Sequence, residues 1–246
     1  TVAGRTLLEQ GRHILAAASN LEAALKSTAT GWESEIRIVV DSSIQIENVF
    51  ALLQKFDETQ NSTQVRISRE SLSGAWEALA EDRADLVIGA SFESTENLRL
   101  HADLQTGILG HLECALVVAA KHPLAKLSTP VTSNQLRQHR SISIGDSGRN
   151  VPNIHSGVLT GTATLLVPDV ASKIAAIAHG LGLGLVPKKL AAPFIKQGVL
   201  VEKELAQAAN QVTSRYGWRT SNSGKAVAWF VRQLGDAEIQ QQILGN

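Results

Sequence analysis

The sequence predicts an α/β protein made of two similar lobes behind a long amphipathic helix. Three observations lead there. Strand-like and helix-like segments alternate from residue 35, a second run of the same kind begins near residue 113, and the first 30 residues instead repeat apolar positions every seven. The length of 246 residues suits two modest cores better than one or three. With 43% hydrophobic and 19% charged residues, both lobes have enough apolar material to fold.

In the leading segment Leu7, Ile14 and Leu21 recur at seven, and Gly11, Ala18 and Leu25 form a second row four residues on. Leu8, Leu15 and Ala24 broaden the stripe, and Gly31 stands where a helix should stop. A solitary helix of this length is marginal in water, so the stripe needs a partner. Either the rest of the chain or a second copy could supply it. The seven-residue repeat favours a second copy, with Leu7, Ile14, Leu21 and Leu25 at the contact.

The first lobe opens with the strand Glu35-Ile36-Arg37-Ile38-Val39-Val40-Asp41, then a helix over 45–56, a strand over 64–70 and a short helix over 75–80. Asp85-Leu86-Val87-Ile88-Gly89 is a buried-strand run ending in glycine. Such a β-α-β-α-β order implies a parallel sheet with right-handed crossovers. Ligands on sheets of this kind bind at the carboxyl ends of the strands. Here those ends are Asp41-Ser42-Ser43, Ser71-Leu72-Ser73-Gly74 and Gly89-Ala90-Ser91, all rich in hydroxyl groups or glycine.

The second lobe follows the strand Glu113-Cys114-Ala115-Leu116-Val117-Val118-Ala119. It continues with a helix near 132–138, a strand over 141–144 and the polar loop Gly145-Asp146-Ser147-Gly148-Arg149-Asn150. A strand over 164–167 leads through Pro168 and Asp169 into a helix over 170–179, stopped by Gly180, and a strand over 181–186 ends at Pro187. A strand over 211–218 then returns the chain to the first lobe, and helices over 225–234 and 237–244 close it. Two crossovers between lobes leave a cleft between them.

Composition excludes several functions. Lys plus Arg equals Asp plus Glu at 23 each, so the chain offers no net positive field for nucleic acid. Its longest apolar runs fall far short of the roughly 20 residues of a membrane-spanning helix. Glu9, Arg12, Glu22 and Lys26 break up the start in a way a secretory signal would not tolerate. Cys114 is the only cysteine, which points to a reducing cytoplasm. With no methionine in the chain, Thr1 reads as a truncation point rather than a natural start.

Candidate chemistry centres on the cleft. Ser42-Ser43 and Asp169 stand before helices, where free N–H groups attract anions, although each taken singly is accounted for by helix capping. Arg149 in the polar loop could clamp a carboxylate with its fork of donors, or simply be an exposed loop arginine. The seven histidines show no paired metal-ligand spacing, so no metal and no cofactor is expected. Gly180-Leu181-Gly182-Leu183-Gly184 follows a helix and precedes a strand, the reverse of a dinucleotide loop. Around Ser147 neither a nucleophile elbow nor a base is identifiable, so no catalytic constellation is expected. Trp32, Trp76, Trp218 and Trp229 are scattered, as packing residues are.

Several segments resemble one known family. Thr1-Val2-Ala3-Gly4-Arg5 is similar to the element that follows the winged helix-turn-helix of LysR-type transcription regulators. Ala84-Asp85-Leu86-Val87-Ile88-Gly89-Ala90, Lys121-His122-Pro123-Leu124-Ala125, Val167-Pro168-Asp169 and Gly182-Leu183-Gly184-Leu185-Val186-Pro187 continue the resemblance across nearly the whole chain. Gly74-Ala75-Trp76, Asp146-Ser147 with Arg149, and Val167-Pro168-Asp169 look most like its allantoin- and purine-utilisation members.

The resemblance implies two Rossmann-like lobes of the periplasmic-binding-protein type 2 plan behind a dimerising linker helix over 1–30. It places lobe I at 31–118 and 213–246 and lobe II at 119–212. A small effector, whether purine, ureide or small organic acid, is expected in the cleft. Its contacts are expected at Ser42, Ser43, Ser71, Leu72, Ser73, Gly74, Gly89, Ala90, Asp146, Ser147, Arg149 and Asp169. It further implies a cytoplasmic homodimer or homotetramer that is not an enzyme, does not engage a membrane, and reaches DNA only through a helix-turn-helix that this sequence does not include. A solute-binding protein of a transporter shares the two-lobe plan and is the alternative, with an enzyme on the same plan third.

Overall fold

The structure is a computed structural model and describes residues 1, 4, 11, 31–91, 103–149, 163–206, 211–222 and 224–245. The expected leading helix, with Leu7, Ile14, Leu21 and Leu25, lies outside the described residues. From residue 35 the chain runs β1 (Glu35–Asp41), α1 (Glu47–Asp57), β2 (Gln64–Glu70), α2 (Ser73–Ala80) and β3 (Leu86–Ala90). β1 pairs in parallel with both β2 and β3, as two βαβ crossovers require. Ile36, Ile38 and Val40 of β1 enter one core and Val39 the opposite one, so this strand is apolar on both faces. α1 buries Val49, Leu52 and Phe56, spaced three and four apart on one stripe.

β4 (Leu104–Ala119) is longer than the sequence suggests. It was expected only from Glu113, because before that point just Leu109 and Leu112 are buried and Gln105, Thr106 and His111 are exposed. Two glycines shape this half. Gly110 has φ +143° at a shift in register, and a side chain at Gly107 would lie 2.2 Å from the Tyr216 ring. β4 pairs with β9 (Gln211–Arg219) as far as Glu113, then from Cys114 with two other strands.

Those strands belong to the second half, which runs α3 (Ser133–Leu136), β5 (Ser141–Ile144), β6 (Thr164–Val167), α4 (Val170–Ala178), β7 (Leu183–Pro187), α5 (Lys188–Lys196) and β8 (Leu200–Lys203). Its strand order, β6-β5-β7-β4-β8, repeats the order β2-β1-β3-β9-β4 of the first half. In each half three parallel strands meet an antiparallel one that arrives from the crossover. α5 and β8 have no counterpart in the sequence expectations: Pro193 sits inside α5, where a proline normally ends a helical pattern. α2 begins two residues earlier than expected, at Ser73, and β7 two residues later, at Leu183.

The chain ends in α6 (Lys225–Leu234) and α7 (Ala237–Ile243), which pack with α1 against the first half-sheet. Glu33 takes the place of a missing side-chain cap on α6, accepting from Ala226 N at 2.8 Å and Val227 N at 3.1 Å. Each half therefore has its own cores, one on either face of its sheet. Leu72 is the exception: it leaves the first half and packs with Ile142, Val170 and Ile174 of the second. Among the described residues no helix is long and apolar enough to cross a membrane.

Candidate functional site

The carboxyl ends of the parallel strands of both halves face each other, and the polar groups there are joined in a seam. Ser71 Oγ lies 2.9 Å from both Ser42 Oγ and the Pro168 carbonyl oxygen. A carbonyl can only accept, so the Ser71 proton goes to Pro168 and the Ser42 hydroxyl donates to Ser71. Ser147 wraps the Ser71 peptide: its Oγ donates to Ser71 O at 2.9 Å and accepts from Ser71 N at 2.9 Å. The Asp146 carboxylate accepts from Ser73 Oγ at 2.6 Å and Ser73 N at 3.1 Å, at the start of α2. Glu77 Oε2 accepts from Arg149 N at 2.5 Å.

Glycine at position 74 is what permits this approach. A side chain there would lie 2.0 Å from Ser147 Oγ and 2.9 Å from the Ser147 backbone carbon. Leu72, just before, holds φ 58° and ψ −123°, a conformation that a branched side chain adopts only under constraint. Its burial in the opposite core and the hydrogen bonds on either side supply that constraint.

The expected site residues fall into two groups. Ser42, Ser71, Ser73, Gly74, Asp146 and Ser147 are drawn together across the seam, and Leu72 is planted in the facing core. Asp169 is the N-cap of α4, accepting from Ser172 N at 2.6 Å. Ser43 is not a helix cap, because α1 starts four residues later with Ile46 at its N-cap; its Oγ instead donates to Gly89 O at 3.3 Å. Gly89 has φ +89° and lies so close to Ile44 that a side chain would clash at 2.1 Å. Ala90 is fully buried against α2, and Arg149 is exposed.

Sequence reasoning missed Asp41, Glu77 and Arg69. Arg69 donates to Ser42 O and Ile44 O at 3.1 and 2.9 Å, fixing the turn after β1. Asp41 accepts from Ser43 N at 2.8 Å, yet its Oδ2 has no hydrogen-bond partner. Burial pushes its carboxyl up to about 6, against the opposing pull of the Ser43 and Leu72 donors and of Arg69. The only signal in the sequence was its place at the end of β1.

Two open spaces lie beside the seam, on the side of α1 and α5. One encloses about 540 Å³ and is bounded by the turn after β1, by β4 at its change of partner, by the β7–α5 junction and by Gln211. The other, about 330 Å³, is bounded by Ser42, Arg69, Ile174 and Phe194 among others. Among the described residues no cluster of three or more His, Cys, Asp or Glu could hold a metal ion. The seam is chemically a set of matched donors and acceptors. The Ser147 hydroxyl is taken up by a peptide group rather than by a base.

Comparison with known proteins gives a consistent picture. The model of the LysR substrate binding domain matches residues 29–238. The HTH-type transcriptional activator AllS of Salmonella paratyphi A is 32% identical over 246 residues, covering 100% of this chain and 78% of AllS. The HTH-type transcriptional regulator PunR of Escherichia coli K12 is 27% identical over 238 residues, 97% of this chain and 76% of PunR. Among solved structures, the effector binding domain of QuiR in complex with shikimate superposes with a TM-score of 0.60 at 14% identity, covering 80% of this chain and 93% of that domain.

Proposed function

The chain belongs to the LysR family of transcription regulators, whose substrate-binding domain spans most of it, and from that premise we propose that it senses a small metabolite at the seam between its halves. The fold is the two-lobe, periplasmic-binding-protein-like plan of LysR effector-binding domains. The family relation does not favour the transporter alternative. Regulators of this family bind effectors, assemble into oligomers and reach DNA through an N-terminal helix-turn-helix.

The observation that carries the proposal is the set of hydrogen bonds from Ser71 and Ser73 to Asp146 and Ser147. It joins strand ends from two lobes with separate cores, so the angle between lobes depends on what those groups bind. In this reading lobe I comprises 31–118 and 213–246 and lobe II 119–212; the change of partner along β4 between Glu113 and Cys114 supports a division near there. A purine, ureide or small organic acid takes over these donors and acceptors, together with Ser42, Ser43, Leu72, Gly74, Gly89, Ala90, Arg149 and Asp169 around them. A ligand that does so in only one lobe orientation shifts the balance between orientations by about 1 to 3 kcal/mol, enough to reposition paired DNA-binding heads. The action is binding without turnover, and Leu7, Ile14, Leu21 and Leu25 of the leading helix join two protomers.

The test is a thermal-shift screen of purines, ureides and short organic acids against the natural chain and the variants Ser43→Ala, Ser147→Ala and Arg149→Ala. A hit whose stabilisation shrinks in these variants supports the seam. Stabilisation indifferent to all three would place the effector elsewhere.

A further inference from the structure

The whole-chain balance of 23 basic against 23 acidic residues conceals a separation of charge. Between Glu113 and Glu202 the sequence has nine Lys or Arg and two acids, Asp146 and Asp169. Both acids are spent at the seam end of the second half, where Asp146 accepts from Ser73 and Asp169 caps α4. Glu202, which follows in β8, is paired with Lys188. We propose that the opposite, far end of the second half is a docking surface for the phosphate backbone of duplex DNA, separate from the seam and from the helix-turn-helix.

Strand pairing fixes what gathers at that end. β4 finishes with Val118 opposite Leu183 and Ala119 opposite Leu200, and Ser141 at the start of β5 also lies opposite Leu183. The turns flanking these strand ends therefore lie side by side: 120–122 after β4, 137–140 before β5, 179–182 before β7 and 196–199 before β8. Ala120 N donates to Val199 O at 2.9 Å and Leu183 N donates to Arg140 O at 3.0 Å. The rings of His122 and His139 join two of the turns, with centroids 4.5 Å apart. Lys121, Arg137, Arg140, His179 and Lys196 are all exposed on them. Lys121, Arg140 and Lys196 have no ion-pair partner among the described residues, and the Arg137 guanidinium donates to the neutral side chain of Asn134.

A phosphate backbone is the anion this surface suits. Its cations come from four separate turns, so they form a spread of charge rather than a pocket for one small ion. These turns contain no Trp, Tyr or Phe on which a base could stack, which leaves contact with the backbone alone. Lys and Arg presented in this way neutralise phosphates whatever the sequence, by releasing counterions. Such a contact is weak, on the order of 10⁻⁴ M near physiological salt. The chain belongs to a family that a helix-turn-helix holds on DNA, however, and tethering to the same duplex sets a local concentration of about a millimolar, enough to occupy the contact. Flanking duplex is then held against the body of the regulator.

Fluorescence anisotropy of this chain with a labelled duplex of arbitrary sequence, titrated over a range of salt, tests the proposal. Binding is expected at low salt, falling with a logarithmic slope of about −3 to −4, as roughly four neutralised phosphates require. Lys121→Glu combined with Arg140→Glu is expected to weaken it at least about tenfold and to flatten the slope by about two. Lys55→Glu combined with Lys189→Glu changes the net charge equally at exposed positions away from this end, and is expected to cost less than about twofold. Lys121 and Arg140 are exposed, so thermal melts of that variant should match those of the natural chain. No binding at low salt, or equal weakening by the two pairs, overturns the proposal. So does poly-glutamate that displaces the labelled duplex at a lower charge concentration than unlabelled duplex does, which would assign the surface to an acidic protein.

Discussion

Asp41 and Lys173 are charged groups placed where water does not reach, with 2% and 1% of their surfaces exposed. Burial pushes the Asp41 carboxyl up to about 6, so the folded state prefers the protonated form. The stability this gives is full below the ordinary carboxylate range near 4 and is lost as pH rises through about 6. At neutral pH the ionised group costs on the order of 3 kcal/mol. Asp41→Asn keeps an acceptor for Ser43 N and has no charge. Its urea midpoint is expected to stay level from pH 4 to 7, about where the natural chain declines. Lys173 is the mirror case: burial lowers its ammonium to about 8, with the nearby Cys114 pulling slightly the other way. The cost is present below about 8 and fades as pH rises towards the ordinary value of 10.5. Lys173→Met keeps the length and removes the charge. It is expected to raise stability at pH 7 by about 1 to 3 kcal/mol, read from thermal or urea melts. Neither group was singled out from sequence: Lys173 falls on the row Val170, Ile174, Ile177 that the helix buries, but a long lysine there can still carry its ammonium to solvent until the packing of β7 over it is known. Gly184, whose added side chain would sit 2.8 Å from Lys173 Cε, is what encloses it.

Among elements, α2 and the loop 145–149 depend on one another more than on their own helical or turn propensities. Gly74 lies in the first turn of α2, where alanine would be the better helix former by about 1 kcal/mol. Gly74→Ala should nevertheless destabilise the seam, because the new methyl would stand 2.0 Å from Ser147 Oγ and 2.9 Å from the Ser147 backbone, and the latter cannot swing aside. Faster amide exchange is expected at Ser71 and Ser73 and in residues 145–148, with the strands of both lobes unchanged; exchange unaltered at the seam would show that the loop gives way freely. How much of this was legible follows element by element. Strands β1, β2, β5 and β6 carry continuous or alternating apolar residues bounded by polar turns, and their limits match the sequence expectation residue for residue. The first half of β4 and all of α5 were not legible, since one is mostly exposed and interrupted by Gly107 and Gly110, and the other opens on Lys188-Lys189 and contains Pro193. The hydroxyl- and glycine-rich strand ends pointed to the site. That Ser71 and Ser147, 76 residues apart, would satisfy each other was set by lobe packing and had no local signal.

At the scale of the whole molecule, two lobes with separate cores have little reason to unfold together unless something couples them. Three kinds of link do so: the crossover strands β4 and β9, the side chain of Leu72 in the facing core, and the seam. The crossover strands are covalent continuity and constrain the lobes only as a hinge does. Leu72 and the seam are what close the angle. The contact best suited to measurement is Ser73 Oγ to Asp146 Oδ2, a 2.6 Å charge-assisted bond in which Ser73 is 3% exposed. A double-mutant cycle with Ser73→Ala and Asp146→Ala should return a coupling of about 1 to 2 kcal/mol, since each variant removes one side of the same bond. Asp146→Ala also strips the acceptor from Ser73 N and Gly148 N, so it should affect cooperativity as well as stability. The expected sign is a broader urea transition with a lower slope, as the second lobe begins to open before the first. A sharp transition of unchanged slope, with a coupling indistinguishable from zero, would mean that Leu72 and the crossover strands alone set the angle. The seam would then be a passive contact, unable to report what it binds to the rest of the molecule.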